Sequence, residues 1–228
     1  MQAPGWEVRP SRNAVFDARA ADAEVMEVER EFEGWKVVLN TTEFLLCEDL
    51  GRYVASAEKE RPGPGGLWAF DLAVVDRPDE AEREVTDAPL YLQRHWGFHH
   101  RGSRSRLLHR SPDGRYDTGR HTSPLVPKEL EPGLFVVWFA WSPLRYVRGR
   151  KLKIQQRIPQ RDRAEGLGRH HLLTPAELEA AYRQEAARSY DLLEGHPPYR
   201  ELIVSRARRA GQSVAPPAGA GPDEGKAG

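Results

Sequence analysis

The most apolar stretch of the chain lies just past its middle, at residues 134–141. It reads Leu-Phe-Val-Val-Trp-Phe-Ala-Trp, and a run rich in aromatic and β-branched side chains is typical of a strand buried on both faces. A second apolar run, residues 67–75, predicts another buried strand, although it carries the acidic Asp71 near its centre. We expect these two strands to form the middle of the hydrophobic core.

A different pattern follows the first run, at residues 144–158. Its second half alternates, with Lys151, Lys153 and Arg157 on one face and mostly apolar residues on the other. A period of two is typical of a strand that has one face in solvent. The pattern therefore predicts a central hairpin, in which the buried strand lies beside a strand with a basic outer face.

The N-terminal region is predicted to add two strands and a helix. Helical and strand patterns compete in residues 17–32, and the alternation of 24–32 favours a strand, with a turn at Gly34 and a return strand over 35–39. An apolar stripe at helical spacing predicts a helix over 43–59, and a second strand pair is the alternative. The helix would pack on one face of the sheet.

Residues 94–132 form the least regular part of the chain. Eight glycines and prolines interrupt this stretch, which predicts a long basic loop that is either functional or disordered. Within it, the turn sequence Ser-Pro-Asp-Gly predicts a small hairpin between residues 106–110 and 115–117. A short strand is predicted just before the loop, at residues 89–93.

The C-terminal part, residues 174–210, is predicted to be helical. Thr174 is followed by a proline and, three positions on, by Glu177, and this spacing is a capping box at the start of a helix. The helix that it begins would run to Leu193, and a second helix would cover residues 199–210.

Together the elements predict an α+β fold. A mostly antiparallel sheet over roughly residues 24–158 would carry one packed helix and be followed by the two C-terminal helices. The single domain would span residues 14–211, between an extended arm at 1–13 and a disordered tail at 212–228. The only cysteine, Cys47, excludes an internal disulfide and predicts a reducing, cytoplasmic compartment.

The charges are unevenly distributed although the net charge is zero. Residues 1–93 hold 10 basic and 20 acidic side chains, whereas residues 94–163 hold 16 basic and 5 acidic ones. Such an asymmetry indicates a negatively charged partner for the basic middle. The competing interpretation is that the basic middle pairs with the acidic N-terminal third, within one molecule or between copies. The mean hydropathy of −0.67 predicts no membrane partner.

The candidate binding residues are the cations of this basic middle. Arginine predominates, and its planar guanidinium suits phosphate and carboxylate groups, while aromatic residues among the cations are suited to stacking on bases. The predicted polyanion-binding residues are Arg101, Arg104, Arg106, Arg115, Arg145, Arg148, Arg150, Lys151, Lys153 and Arg157.

Metal chemistry is the alternative that Asp71 and the histidines of residues 95–121 raise. A carboxylate within an apolar strand can bind the metal ion of a nuclease. The more ordinary interpretation places Asp71 on a half-exposed face, paired with an arginine or lysine. The histidine spacing matches no zinc-binding or metalloprotease motif, and we predict no bound metal and no cofactor.

Three functions are compatible with these patterns. The charge distribution favours a non-enzymatic polyanion-binding or assembly protein whose basic middle engages nucleic acid or an acidic protein surface. The second possibility is a metal-dependent phosphodiester hydrolase that uses Asp71 and the histidines of 95–121. The third is a structural subunit of a homo-oligomer or larger particle, in which the acidic third of one copy meets the basic middle of the next.

Overall fold

The computed structural model describes residues 7–13, 15, 17–61, 65–81, 83–166 and 171–212. Within these residues the chain forms eight helices and seven strands, which confirms the predicted α+β class. In chain order they are α1 (Ala18–Glu29), β1 (Lys36–Val37), β2 (Glu43–Leu46), α2 (Leu50–Glu60), β3 (Gly66–Val75), α3 (Leu90–Gln93), β4 (Trp96–His99), β5 (Leu107–His109), β6 (Leu130–Trp141), α4 (Leu144–Gln155), α5 (Gln160–Ala164), α6 (Pro175–Ala187), β7 (Tyr190–Asp191), α7 (Leu192–Gly195) and α8 (Pro197–Arg209).

Most of the predicted terminal segments lie outside the described residues. The predicted tail begins with Gln212, and residues 213–228 are not described. Of the predicted arm, residues 7–13 are described, and they contain neither helix nor strand. In the described part of the chain, no helix has both the length and the apolar character that crossing a bilayer requires.

The sheet is centred on β3 and β6, the two strands that the apolar runs predict. These two strands pair in parallel, and every other pairing in the described sheet is antiparallel. Along its other edge β3 pairs with two short strands in turn, first with β5 and then with β4. The strands β1, β7 and β2 extend the sheet beyond β5, β4 and β6 respectively.

The two faces of β3 pack against different helices. Leu72 and Val74 pack with α8 in one apolar cluster, whereas Ala73 and Val75 pack with α4 and α6 in another. Successive side chains of a strand point to opposite faces, so α8 covers one face of the sheet and α4 and α6 cover the other. A third cluster, around Ala69, packs with α2 at the far end of the α4 face.

The C-terminal prediction is confirmed at its start and corrected at its end. Thr174 and Glu177 form the predicted capping box at the beginning of α6, and α8 matches the second predicted helix. However, α6 ends at Ala187 instead of continuing to residue 193. The chain leaves the helix there because Tyr190 and Asp191 form β7, which pairs with β4.

The predicted basic strand over residues 144–158 is wrong, because this segment forms the helix α4. The alternation covers only its second half, whereas positions 144, 147, 151 and 154 follow helical spacing, and Leu144 and Val147 are buried. The backbone N–H of Leu144 donates to Oδ2 of Asp76 at 2.9 Å, which satisfies a free amide of the first turn. The basic side chains therefore lie on a helix.

The N-terminal predictions also need correction. Residues 18–29 form α1 instead of a strand, since Asp17 caps the helix and Asp22 and Glu29 face inward at a spacing of seven. The return strand, predicted over residues 35–39, is only two residues long, Lys36–Val37. The predicted helix over 43–59 is half wrong, because its first residues form β2 against β6 and the helix begins only after Asp49.

The region around the predicted long loop is more ordered than the sequence indicates. Residues 90–93 form a short helix, not a strand, and β4 and β5 lie inside the predicted loop. The small hairpin is absent from these described residues, because β5 pairs with β1 and β3 instead of with residues 115–117.

Candidate anion-binding site

Several basic side chains of the basic middle pair with acidic side chains inside the molecule. The buried guanidinium of Arg106 donates to both carboxylate oxygens of Glu43, at 2.7 and 2.6 Å. Arg120 pairs with Asp22 of α1, and Nε2 of His109 lies 3.0 Å from Oε1 of Glu29. The acidic N-terminal third therefore does face part of the basic middle, as the competing interpretation predicts.

The ten predicted binding residues fall into three groups. Arg106 is buried and paired, so it is not part of the surface. Exposed positions are occupied by Arg101, Arg115, Arg145, Arg148, Lys153 and Arg157, and half-buried positions by Arg104, Arg150 and Lys151. Among the exposed residues, Arg148 pairs with Glu179 of α6, and Arg115 lies beside Asp113, which pairs with Arg30. The half-buried group is the one that forms a site.

This site lies on the α4 face of the sheet, where three strands align Trp138, Ala73 and Phe98 side by side. The guanidinium carbon of Arg104 lies 5.1 Å from the centre of the Trp138 ring. The ring of His100 lies 5.8 Å from Trp138 and 4.8 Å from Phe98. A cation and an imidazole are thus placed against a half-buried indole.

Helix α4 follows β6 and places two cations beside the C-terminal end of that strand. Nζ of Lys151 lies 4.4 Å from the centre of the Trp141 ring, and Nη2 of Arg150 lies 3.5 Å from the carbonyl oxygen of Ala140. We call Trp138, His100, Arg104, Arg150 and Lys151 the Trp138 cluster.

Burial makes the positive charges of the Trp138 cluster costly. It lowers the pKa of Arg104 and of Arg150. Burial, together with the charges of Arg150 and Arg104, lowers the pKa of Lys151 to about 8. Within the described residues, Arg104 and Arg150 have no carboxylate oxygen within 4.0 Å. These two guanidinium groups are therefore positive charges for which the described residues provide no ion-pair partner.

His121 fixes the orientation of Arg104 without neutralising it. Nη1 of Arg104 lies 3.3 Å from Nε2 of His121, and Nδ1 of His121 lies 3.4 Å from the carbonyl oxygen of Ser105. Arginine can only donate, so the lone pair of Nε2 faces Arg104. Nη1 of Arg106 lies 3.2 Å from Nδ1, so the His121 ring stands between two guanidinium groups. Burial and the charges of Arg106 and Arg104 lower the pKa of His121 to about 3, which keeps the ring neutral.

Asp71 positions the loop that carries Arg104. Its Oδ1 accepts the backbone N–H of Gly102 and its Oδ2 that of Arg104, each at 2.8 Å. The side chain is buried, so it is not on a half-exposed face, and its ion-pair partner among the described residues is His99, not an arginine or lysine. Nε2 of His99 lies 3.1 Å from Oδ1. Asp71 thus ties the segment between β4 and β5 to the central strand.

The histidines of the metal hypothesis do not converge. His95 pairs with Asp191, His99 with Asp71 and His109 with Glu29, in three separate places. Across the described ranges, no group of three or more histidine, cysteine or acidic side chains is arranged to bind a metal ion. The geometry therefore gives no support to the metal-dependent hydrolase.

Trp138 was missed from sequence, and His100 and His121 were predicted only among the histidines of the metal alternative. Trp138 lies in the most apolar run, where an aromatic residue indicates core, and nothing local marks it as half-buried. His121 lies among turn residues, and its role depends on a contact with Arg104, 17 positions earlier.

Comparison of the chain with protein-family models, with curated proteins and with solved structures gives no match.

Proposed function

We propose that this protein is a non-enzymatic nucleic-acid-binding protein that engages the phosphate backbone with the Trp138 cluster and α4. The observation that carries the proposal is the pair of half-buried guanidinium groups of Arg104 and Arg150, which lack a carboxylate partner among the described residues. Charged side chains are rarely buried unless they are paired. A bound phosphate supplies the negative charge that pairs with these two groups.

Internal pairing accounts for a different set of cations. Arg106, Arg120 and His109 lie against acidic side chains of the N-terminal third. In the Trp138 cluster, the charges of Arg150 and Arg104 instead contribute to lowering the pKa of Lys151. Mutual repulsion of this kind is relieved when an anion binds between the cations.

The exposed side of α4 extends the basic surface. Arg145 and Lys153 are exposed on the helix, and Arg157 follows it. The side chain of Tyr146 is 61% exposed, with the guanidinium of Arg145 4.9 Å from its ring centre. Exposed aromatic rings among cations are typical of surfaces on which bases stack. This feature favours nucleic acid over an acidic protein surface, and such a partner agrees with the predicted cytoplasmic location.

The test compares two double variants that remove the same charge from opposite faces of the sheet. Arg145→Ala with Lys153→Ala removes two cations of α4, and Arg200→Ala with Arg208→Ala removes two exposed cations of α8. Fluorescence anisotropy with a labelled duplex, measured over a range of salt concentrations, gives the affinity and its salt dependence. We expect the α4 variant alone to bind more weakly, with a salt slope that is smaller by about 0.9 for each lost phosphate contact.

Two other outcomes would contradict the proposal. Equal losses in the two variants would mean that binding follows net charge and not this surface. Equally tight binding of a poly-glutamate peptide, with the same dependence on α4, would point to an acidic protein surface as the partner.

A further inference from the structure

The Trp138 cluster holds more positive charge than one backbone phosphate requires. A phosphodiester carries a single negative charge, whereas a phosphate monoester carries about −1.5 to −2 at neutral pH and three strong acceptor oxygens. Arg104, Arg150 and Lys151 are half-buried. Arg104 lies against the Trp138 ring, and both arginines are close enough to Lys151 for their charges to act on it. This concentration matches a dianion better than a monoanion.

The free edge of Arg104 is suited to such a group. Nη1 is engaged by His121, whereas Nε and Nη2 have no hydrogen-bond partner in the described part of the chain. These two atoms form the edge of a guanidinium that donates two parallel hydrogen bonds to one phosphate. The stacking of the same guanidinium on Trp138, at 5.1 Å, fixes the plane of that edge.

The surroundings hold the edge in place before any ligand arrives. The backbone N–H of Arg104 donates to Asp71, and the side chain is held between His121 and Trp138. Because backbone and guanidinium are both fixed, little conformational entropy is lost when a phosphate binds. A half-buried position also strengthens the attraction between the charges relative to open water.

We propose that the Trp138 cluster is a binding site for a phosphate monoester, such as the terminal phosphate of a nucleic-acid strand or a mononucleotide. The nucleic-acid source rests on the proposed function above, whereas the preference for monoester over diester rests on the cluster alone. Arg104 donates through Nε and Nη2, and Arg150 and Lys151 supply the remaining positive charge.

The first experiment uses small probes that separate the two phosphate classes. Binding of methyl phosphate and of dimethyl phosphate to the full chain is followed by ³¹P NMR line broadening. We expect methyl phosphate to bind at least about tenfold more tightly, since it presents the additional charge and oxygen. Equal binding of the two probes would overturn the proposal.

The second experiment uses oligonucleotides and a matched pair of variants. Single strands of one sequence carry a 5′-phosphate, a 3′-phosphate or only hydroxyl ends. The variants are Arg104→Gln and, as a control on the same loop, Arg101→Gln, whose side chain is exposed. We expect a phosphorylated end to raise the affinity about tenfold, Arg104→Gln to abolish this gain, and Arg101→Gln to keep it.

The outcomes separate this proposal from the proposed function. Oligonucleotide binding that ignores the terminal phosphate, or a phosphate preference that survives in Arg104→Gln, would overturn the monoester site and leave nucleic-acid binding intact. Binding of methyl phosphate that depends on Arg104, without binding of any oligonucleotide, would support the site and contradict the nucleic-acid function. Thermal unfolding of each variant establishes that it is folded before its binding is compared.

Discussion

Arg104 and His121 form a hydrogen bond, 3.3 Å from Nη1 to Nε2, in which a cation is held by a neutral acceptor and not by a carboxylate. Most half-buried arginines are oriented by an acid that also cancels their charge. In this pair His121 orients the guanidinium of Arg104 but does not cancel its charge, so the full positive charge is left for a ligand.

The first prediction follows from this pair. His121→Gln keeps an acceptor near the position of Nε2, and we expect phosphate affinity to fall less than about threefold. His121→Glu places a carboxylate between Arg104 and Arg106, and we expect affinity to fall more than about tenfold because the new acid competes with the ligand. Titration with methyl phosphate measures both. Equal affinities in the two variants would show that the neutrality of His121 is irrelevant.

The second prediction concerns the pH dependence of binding. The pKa of Lys151 is about 8 because of burial and the charges of Arg150 and Arg104, against a smaller opposing effect of Glu185. A bound anion favours the charged amine and raises this pKa. The contribution of Lys151 is therefore complete below pH 8 and is lost as the pH rises above it.

We expect the affinity for a phosphorylated oligonucleotide to fall by up to about tenfold between pH 8 and pH 9.5. Lys151→Arg should bind equally well at pH 7.5 and should lose this dependence, because arginine stays charged over the whole range. A wild-type profile that is flat up to pH 9.5 would remove Lys151 from the site.

The third prediction concerns Asp71, whose carboxylate satisfies two backbone amides. Asp71→Ala leaves the N–H groups of Gly102 and Arg104 without their acceptor. An unsatisfied buried group costs about 1–3 kcal/mol, so we expect the free energy of unfolding to fall by about 2–4 kcal/mol. Urea denaturation measures the change. The control, Asp79→Ala, removes an exposed carboxylate and should cost less than about 0.5 kcal/mol.

The fourth prediction concerns the buried pair of Glu43 and Arg106. Arg106→Met leaves the carboxylate of Glu43 buried and unpaired, and we expect a loss of about 3–5 kcal/mol. Adding Glu43→Met should recover part of this loss, since no unpaired charge is then left at this position. A double-mutant cycle by urea denaturation gives the coupling energy. The exposed pair of Arg148 and Glu179 should couple by no more than about 1 kcal/mol.

The predictions from sequence succeeded where the pattern was local and strong. The apolar runs gave β3 and β6, and a capping box gave the start of α6. The prediction failed at residues 144–158, where alternation and helical spacing were both present. The tertiary packing of Leu144 and Val147 against the sheet decided between them. At residues 18–29, the inward-facing Asp22 and Glu29 of α1 pair with residues distant in sequence, which no local pattern predicts.

The site was predictable in composition but not in arrangement. Arg104, Arg150 and Lys151 were among the predicted residues, as was Arg106, which is buried against Glu43. Composition does not distinguish the buried Arg106 from the three residues of the site, because the difference depends on the long-range pairing of β4, β3 and β6. Only that pairing brings the loop of Arg104 to Trp138.

The interruption between β4 and β5 has a consequence for how this protein can be altered. Both short strands keep their register on β3, and the seven residues between them are held by Asp71, by hydrogen bonds of Ser105 and Arg106 to Ala69, and by the buried pair of Arg106 with Glu43. The exposed positions of this segment, Arg101 and Ser103, lie outside these contacts. Rewriting its outward positions, with Asp71 and the amides it binds left in place, offers a route to redirect ligand choice without redesigning the scaffold.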